Sequence, residues 1–173
     1  QGPDGSTRDA LTDAGFSDTI IERFFRPLVG GIQLDSELAD SRRMFDIIFR
    51  MLADGDSAVP AAGMQAIPDQ LAAKLPPGCI RLGARVASTS ATSVMLDDGD
   101  EIRAAAVVVA TEGPTAARLL GLPDVESKSV GAVCFAAPEA PIDSKFVVLD
   151  GTGRGPVLNV AVMSNVAPTY APD

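Results

Sequence analysis

The side chains that most often carry nucleophilic or metal chemistry are scarce in this chain. It contains no histidine and no tryptophan, which excludes Ser-His-Asp and Cys-His nucleophile systems, histidine zinc sites and the zinc deaminase pattern within these residues. The two cysteines, Cys79 and Cys134, stand far apart and form no C-x-x-C pair. They indicate neither a redox motif nor a metal cluster, and free thiols buried in a core are expected. The acidic cluster Asp97, Asp98, Asp100 and Glu101 invites calcium, but it lacks the EF-hand spacing and its distal glutamate. A solvated hairpin tip is expected, and no metal site. Gly151-Thr152-Gly153-Arg154-Gly155 has the composition of a phosphate loop without the G-x-G-x-x-G spacing, and an extended segment follows it rather than a helix. That pattern fits a hairpin turn.

The elements that must position any site fall into two groups. With 173 residues, 46% hydrophobic and 21% charged, the chain can bury a core, and it reads as a soluble globular protein. Its net charge of −9, without a Lys/Arg cluster and with few aromatic residues, argues against nucleic acid as a partner. The longest aliphatic run, Ala104 to Ala110, is far shorter than the roughly 20 residues of a membrane span. No signal peptide is recognisable, and a cytoplasmic location, peripheral to a membrane at most, is expected. Gln1-Gly2 reads as the scar of a cleaved tag, and the chain as a segment of a longer protein.

Up to residue 76 the period is helical. Ile20, Ile21, Phe24, Phe25 and Leu28 form one stripe, with Thr19 and Glu22 at capping-box spacing and Pro27 as the expected end. The Gly30-Gly31 pair reads as a turn. A second helix starts near Ser36, carries Met44, Ile47, Ile48, Met51 and Leu52 on one face and Arg42, Arg43, Asp46 and Arg50 on a solvated one, and stops at Gly55. A third has Met64, Ile67, Leu71 and Leu75 on one side and ends at Pro76-Pro77-Gly78. After Gly78 the period becomes two. Strands are expected over 79–82, 85–89, 93–96, 101–103 and 106–110, the last as a strand buried on both faces of a parallel sheet and followed by a helix over 115–120. Further strands are expected over 129–136, 145–149 and 156–163.

An ordered set of short motifs then carries a resemblance. Pro60-x-x-Gly63-Met64, Ile80-Arg81-Leu82, Arg85-Val86, Val94-Met95-Leu96-Asp97-Asp98-Gly99 and Val107-Val108-Val109-Ala110-Thr111 follow one another in the sequence. They resemble the middle of flavin-dependent oxidoreductases of the amine oxidase superfamily, in the branch similar to phytoene desaturases and protoporphyrinogen oxidases. Phe24-Phe25-Arg26-Pro27 and the second helix resemble substrate-domain helices of that family, and Ser164 to Pro172 looks like the segment before its last FAD-binding stretch.

The resemblance implies an α+β chain drawn from a two-domain, Rossmann-like FAD/NAD(P)-binding flavoprotein. Residues 3–58 would be the helical part of the substrate domain, 59–125 a partial FAD domain and 126–173 the substrate-domain sheet. It implies FAD as cofactor of the whole protein, with backbone groups of Val86 on the adenine edge, Ala110, Thr111 and Gly113 in the turn passing the dinucleotide, and Gly63 in the turn entering the FAD domain. Glu112 departs from the family's usual Gly or Pro, and neither the G-x-G-x-x-G turn nor the closing Gly-Asp segment occurs in the chain. The implied reaction is oxidation of a C–H or C–N bond of a small, apolar substrate by hydride transfer to flavin, the segment alone being inactive; no catalytic acid or base is indicated. Two other readings stand beside it: a non-catalytic α+β binding or scaffold domain, and a module for apolar ligands built on the Met and Phe stripes.

Overall fold

The computed structural model describes residues 4–171, so the tag reading of Gln1-Gly2, and Pro172 at the end of the segment read as preceding the last FAD-binding stretch, lie outside the described residues. The fold is α+β. Its helices are α1 (Thr7–Asp13), α2 (Asp18–Ile20), α3 (Arg26–Gln33), α4 (Arg42–Asp54), α5 (Ala66–Ala72), α6 (Gly113–Leu120) and α7 (Met163–Val166). Strands β1 (Val86–Thr89), β2 (Ser93–Leu96) and β3 (Glu101–Arg103) form one antiparallel sheet; β4 (Val148–Leu149) and β5 (Asn159–Val160) form another. The chain divides into two compact units, one of residues up to Pro68 and from Val130 onward, the other of Asp69–Ser129. No helix among the described residues is long and apolar enough to cross a membrane.

In the first unit, Ile21, Phe25 and Val29 recur every four residues and turn one face inward, where Leu11, Leu38 and Phe45 meet them. Phe25 is the hub: its ring lies 5.0 to 6.0 Å from those of Phe16, Phe24, Phe45 and Phe49, mostly edge to face. Phe25 is therefore core, whereas Phe24 and Ile20 of the same stripe are exposed. The sequence does not announce α1, which is capped by the Ser6 hydroxyl on the Asp9 N–H and docks through Thr7 onto the Asp40 carbonyl.

Pro27 does not end its helix. A π-helical turn, Ile21–Phe25, precedes it and leaves Pro27 in the first turn of α3, where a missing N–H costs little. The helix then runs through Gly30 and Gly31 to Gln33, and Leu34 in the left-handed region at φ 54° closes it, with the Asp35 N–H donating to the Gly30 carbonyl. Glu22 serves no capping box, because its carboxylate binds Arg8 and Arg26 at 2.7 and 3.1 Å. The second stripe starts at Arg42 rather than Ser36; the intervening residues form a loop held by the Asp35 carboxylate, which accepts from the Glu37 and Asp40 N–H groups. Gly55 stops it as expected.

The second unit departs furthest from the periodicity. Residues 106–110 are not a strand, and Val108 is 87% exposed. A strand forms only beside a neighbour that takes its N–H and C=O groups, and neither antiparallel sheet among the described residues pairs with this segment, although the Val107 N–H donates to the Ala91 carbonyl in the β1–β2 turn. The same reason applies to 79–82 and 129–136, which are irregular and exposed. Of the strands expected at 145–149 and 156–163 only two residues each pair, and 163–166 is helical. The α5 stripe, with Ile67 and Leu71 exposed, is not packed into a core. Cys79 and Cys134 are free but exposed, which corrects the expectation of core thiols.

Candidate functional site

β1 is the outermost strand of its sheet, in the order β1-β2-β3. Val86 pairs with Leu96, and the Arg85 carbonyl accepts from the Asp97 N–H at 3.0 Å. A bond between these flanking residues makes Val86 and Leu96 a non-hydrogen-bonded pair. The N–H and C=O of Val86 therefore point away from β2, toward the edge that no strand among the described residues occupies. A bulge between Val86 and Ser88 re-aims the strand at this point. At its other end β1 is tied to α6, the Thr89 hydroxyl donating to the Leu119 carbonyl at 3.3 Å.

Ala110 and Thr111 lie exposed in the loop that leads into α6. Gly113 opens that helix, and a Cβ there would stand 3.2 Å from the Val125 Cγ1, so its small size serves close packing of the helix start on the following loop. Glu112 occupies the cap position, and its carboxylate accepts from the Thr115 hydroxyl at 2.6 Å. The second unit thus holds Val86, Ala110, Thr111 and Gly113, whereas Gly63, at φ 88°, belongs to the first.

The acidic hairpin tip is matched by arginine: Arg81 reaches Asp98 and Asp100 at 3.7 and 3.3 Å, and Arg85 reaches Asp97 at 3.5 Å. Among the described residues no group of three or more His, Cys, Asp or Glu could hold a metal ion.

An open hollow of about 660 Å3 in the first unit went unnoticed in the sequence. Asp18, Thr19, Glu22 and Arg23 line it from the helical side, and Gly151, Thr152 and Arg154 from the β4–β5 turn. A Cβ on Gly151 would meet the Arg23 carbonyl at 3.1 Å, so glycine is what lets the turn close on the helix. The turn is not a phosphate loop, because its own Asp150 fills it: the carboxylate accepts from the Thr152 N–H at 2.9 Å and the Thr152 hydroxyl at 2.6 Å. These bonds hold the Asp150 carboxyl below its ordinary value. Only the spacing of Asp150 and Thr152, an Asx-turn signal, marks this in the sequence.

Residues 2–172 match the family model of flavin containing amine oxidoreductases. The chain belongs to that family. Comparison with curated proteins and with solved structures returned no match. The match spans both units of this amine oxidoreductase chain, so the resemblance carried by the motifs from Pro60 to Thr111 extends to the helices before them and the strands after them. The outward backbone pair of Val86 fits the edge of a planar heterocycle with one donor and one acceptor. Neither the Gly151–Gly155 turn nor the start of α6 offers the diphosphate of a dinucleotide a seat: Asp150 fills the first, and a carboxylate, Glu112, stands at the second.

Proposed function

We propose that this chain is the central part of an FAD-dependent oxidoreductase, phytoene desaturase-like, that oxidises a C–H or C–N bond of a small apolar substrate. Residues 3–58 and 126–173 then belong to the substrate domain, and residues 59–125 form one edge of the FAD domain. Bound FAD supplies the hydride-accepting chemistry, while the protein supplies orientation and a dry pocket. The observation that carries the reading is the backbone of Val86, whose N–H and C=O face the open edge of β1. They would hold the adenine edge. Ala110, Thr111 and Gly113 would line the dinucleotide's path, and Gly63 would form the turn into the FAD domain.

Two backbone hydrogen bonds of about 0.5 to 1.5 kcal/mol each do not reach the roughly 4 kcal/mol that millimolar binding needs. This chain alone is therefore expected to leave gel filtration colourless after incubation with FAD, and stoichiometric yellow absorbance in its peak would refute the placement. In the protein that carries this segment at its natural length, Val86→Pro removes one donor without removing a ladder bond. FAD affinity is expected to fall about two- to thirteenfold. Val86→Ala keeps the donor and should keep the affinity. Unchanged FAD retention in a folded Val86→Pro protein would overturn the adenine assignment.

A further inference from the structure

We propose that the hollow of the first unit is a binding site for a small hydroxylated dicarboxylate. Its volume of about 660 Å3 is that of a small-molecule site. On the helical side it is walled by the π-helical turn Ile21–Phe25, which supplies Glu22 and Arg23; such turns are rare and recur at functional sites. The β4–β5 turn forms the other side, seated on the Arg23 backbone through Gly151, and brings Arg154 to the same hollow.

The lining groups that the protein leaves unengaged identify the ligand. The Glu22 carboxylate is matched by Arg8 and Arg26, and Thr152 is bonded to Asp150. The Arg23 and Arg154 guanidinium groups, the Thr19 hydroxyl and the Asp18 carboxylate make no ion pair or side-chain hydrogen bond among the described residues. Acidic residues outnumber basic ones by 23 to 14 in this chain, yet two guanidinium groups meet here without a carboxylate between them. Each presents a fork that fits a carboxylate two-pronged. They come from different elements, so each takes a carboxylate of its own. A phosphate is the poorer occupant, because phosphate sites are built on free backbone N–H groups. In this turn the Thr152 and Arg154 N–H groups are already taken, by the Asp150 carboxylate at 2.9 Å and the Thr152 hydroxyl at 3.3 Å. Asp18 repels a third anionic group and accepts from a hydroxyl, and Thr19 adds a donor. None of this suits a small apolar substrate, so the occupant is a second ligand.

The hollow is open and both guanidinium groups are exposed, so binding is weak and sensitive to salt. Nuclear magnetic resonance of the arginine Nε–H groups tests it, with malate, succinate and glycerol phosphate titrated into this chain at constant ionic strength. Malate is expected to shift the Arg23 and Arg154 signals saturably, and at lower concentration than succinate or glycerol phosphate. Arg23→Gln and Arg154→Gln should each weaken malate binding at least about tenfold. Arg118→Gln removes the same charge from an exposed position of the second unit and should leave it unchanged. Asp18→Ala should bring malate and succinate level. The backbone amide spectrum of each variant shows that it is folded, and because the two arginines stand on separate elements, either substitution suffices for the test. Signals that do not saturate overturn the proposal. So does a loss on Arg118→Gln equal to that on Arg23→Gln or Arg154→Gln, a preference for malate that survives Asp18→Ala, or glycerol phosphate binding more tightly than malate.

Discussion

Two adjacent glycines in α3 should respond to the same substitution with opposite signs. Alanine replaces glycine inside a helix with a gain of about 1 kcal/mol when nothing else changes. At Gly30 the new Cβ would stand 2.9 Å from the Asp35 carbonyl oxygen, a backbone atom. That carbonyl cannot swing away freely, because Leu34 holds the left-handed helix end and the Asp35 N–H is bonded to the Gly30 carbonyl at 3.0 Å. Overpacking against such a fixed neighbour costs about 1 to 3 kcal/mol, so Gly30→Ala should be neutral to destabilised by about 2 kcal/mol. At Gly31 the Cβ would meet the Asn159 Nδ2 at 2.8 Å, the far end of a side chain whose bond to the Pro27 carbonyl is already long at 3.4 Å. Losing it costs at most about 0.5 kcal/mol, and Gly31→Ala should gain a similar amount overall. Thermal unfolding followed by far-ultraviolet circular dichroism should separate the two variants by about 1 to 10 °C, Gly31→Ala melting higher. A Gly30→Ala variant at least as stable as Gly31→Ala would refute the claim that the Asp35 carbonyl sets the local packing.

Two further outcomes follow from groups on the surface. Both thiols are exposed, so Cys79 and Cys134 should each react with a thiol reagent in the folded protein within the dead time of a denatured control; fewer than two fast groups would contradict their exposure. The Asp150 carboxyl is held below 3.8 mainly by the Thr152 hydroxyl and N–H. Its contribution to the β4–β5 turn is thus present above that ordinary value and lost as the pH falls through the lowered one. The Thr152 amide signal should titrate with a midpoint under 3.8, and Thr152→Ala should move the Asp150 midpoint back toward it.

The parts of the fold that were legible are those whose partners lie nearby in the sequence. Residues 93–96 and 101–103 are strands as read, because Asp98-Gly99 turns the chain locally: Gly99 takes φ 92° and the Asp98 carboxylate caps the Asp100 N–H. α4 was legible as a helix from its period and from Gly55, but not its buried face: Phe45 and Phe49 enter the core, while Met44, Ile47, Met51 and Leu52 of the expected stripe are exposed. The misreadings share a different cause. Pro27 and Gly30-Gly31 carry breaker composition, yet a π turn leaves the proline in the first turn of α3, and the glycines lie inside the helix where Asp35 and Asn159 approach too closely for a Cβ. Residues 106–110 carry strand composition, yet composition supplies no ladder partner. The hollow between the helical side and the β4–β5 turn joins residues more than a hundred positions apart, and no window along the chain brings them together.

The candidate cofactor contact depends on register more than on residue type, which is why a single valine carries so little signal. Successive strand residues point their backbone groups to opposite edges, so a shift of one position would turn the Val86 N–H and C=O inward and aim a neighbour's outward. Three local features hold the register. Ser90 folds the β1–β2 turn, its hydroxyl accepting from the Thr92 and Ser93 N–H groups at 3.2 and 2.9 Å. The bulge between Val86 and Ser88 takes up one extra residue on β1. Beyond it, the Arg85 carbonyl locks onto the Asp97 N–H, and the Arg85 guanidinium adds an ion pair to the Asp97 carboxylate from an exposed position. Exposed pairs of that kind stabilise little, so the backbone bond and the serine turn are what keep Val86 facing out, and the side chain at position 86 is free to vary among compact residues.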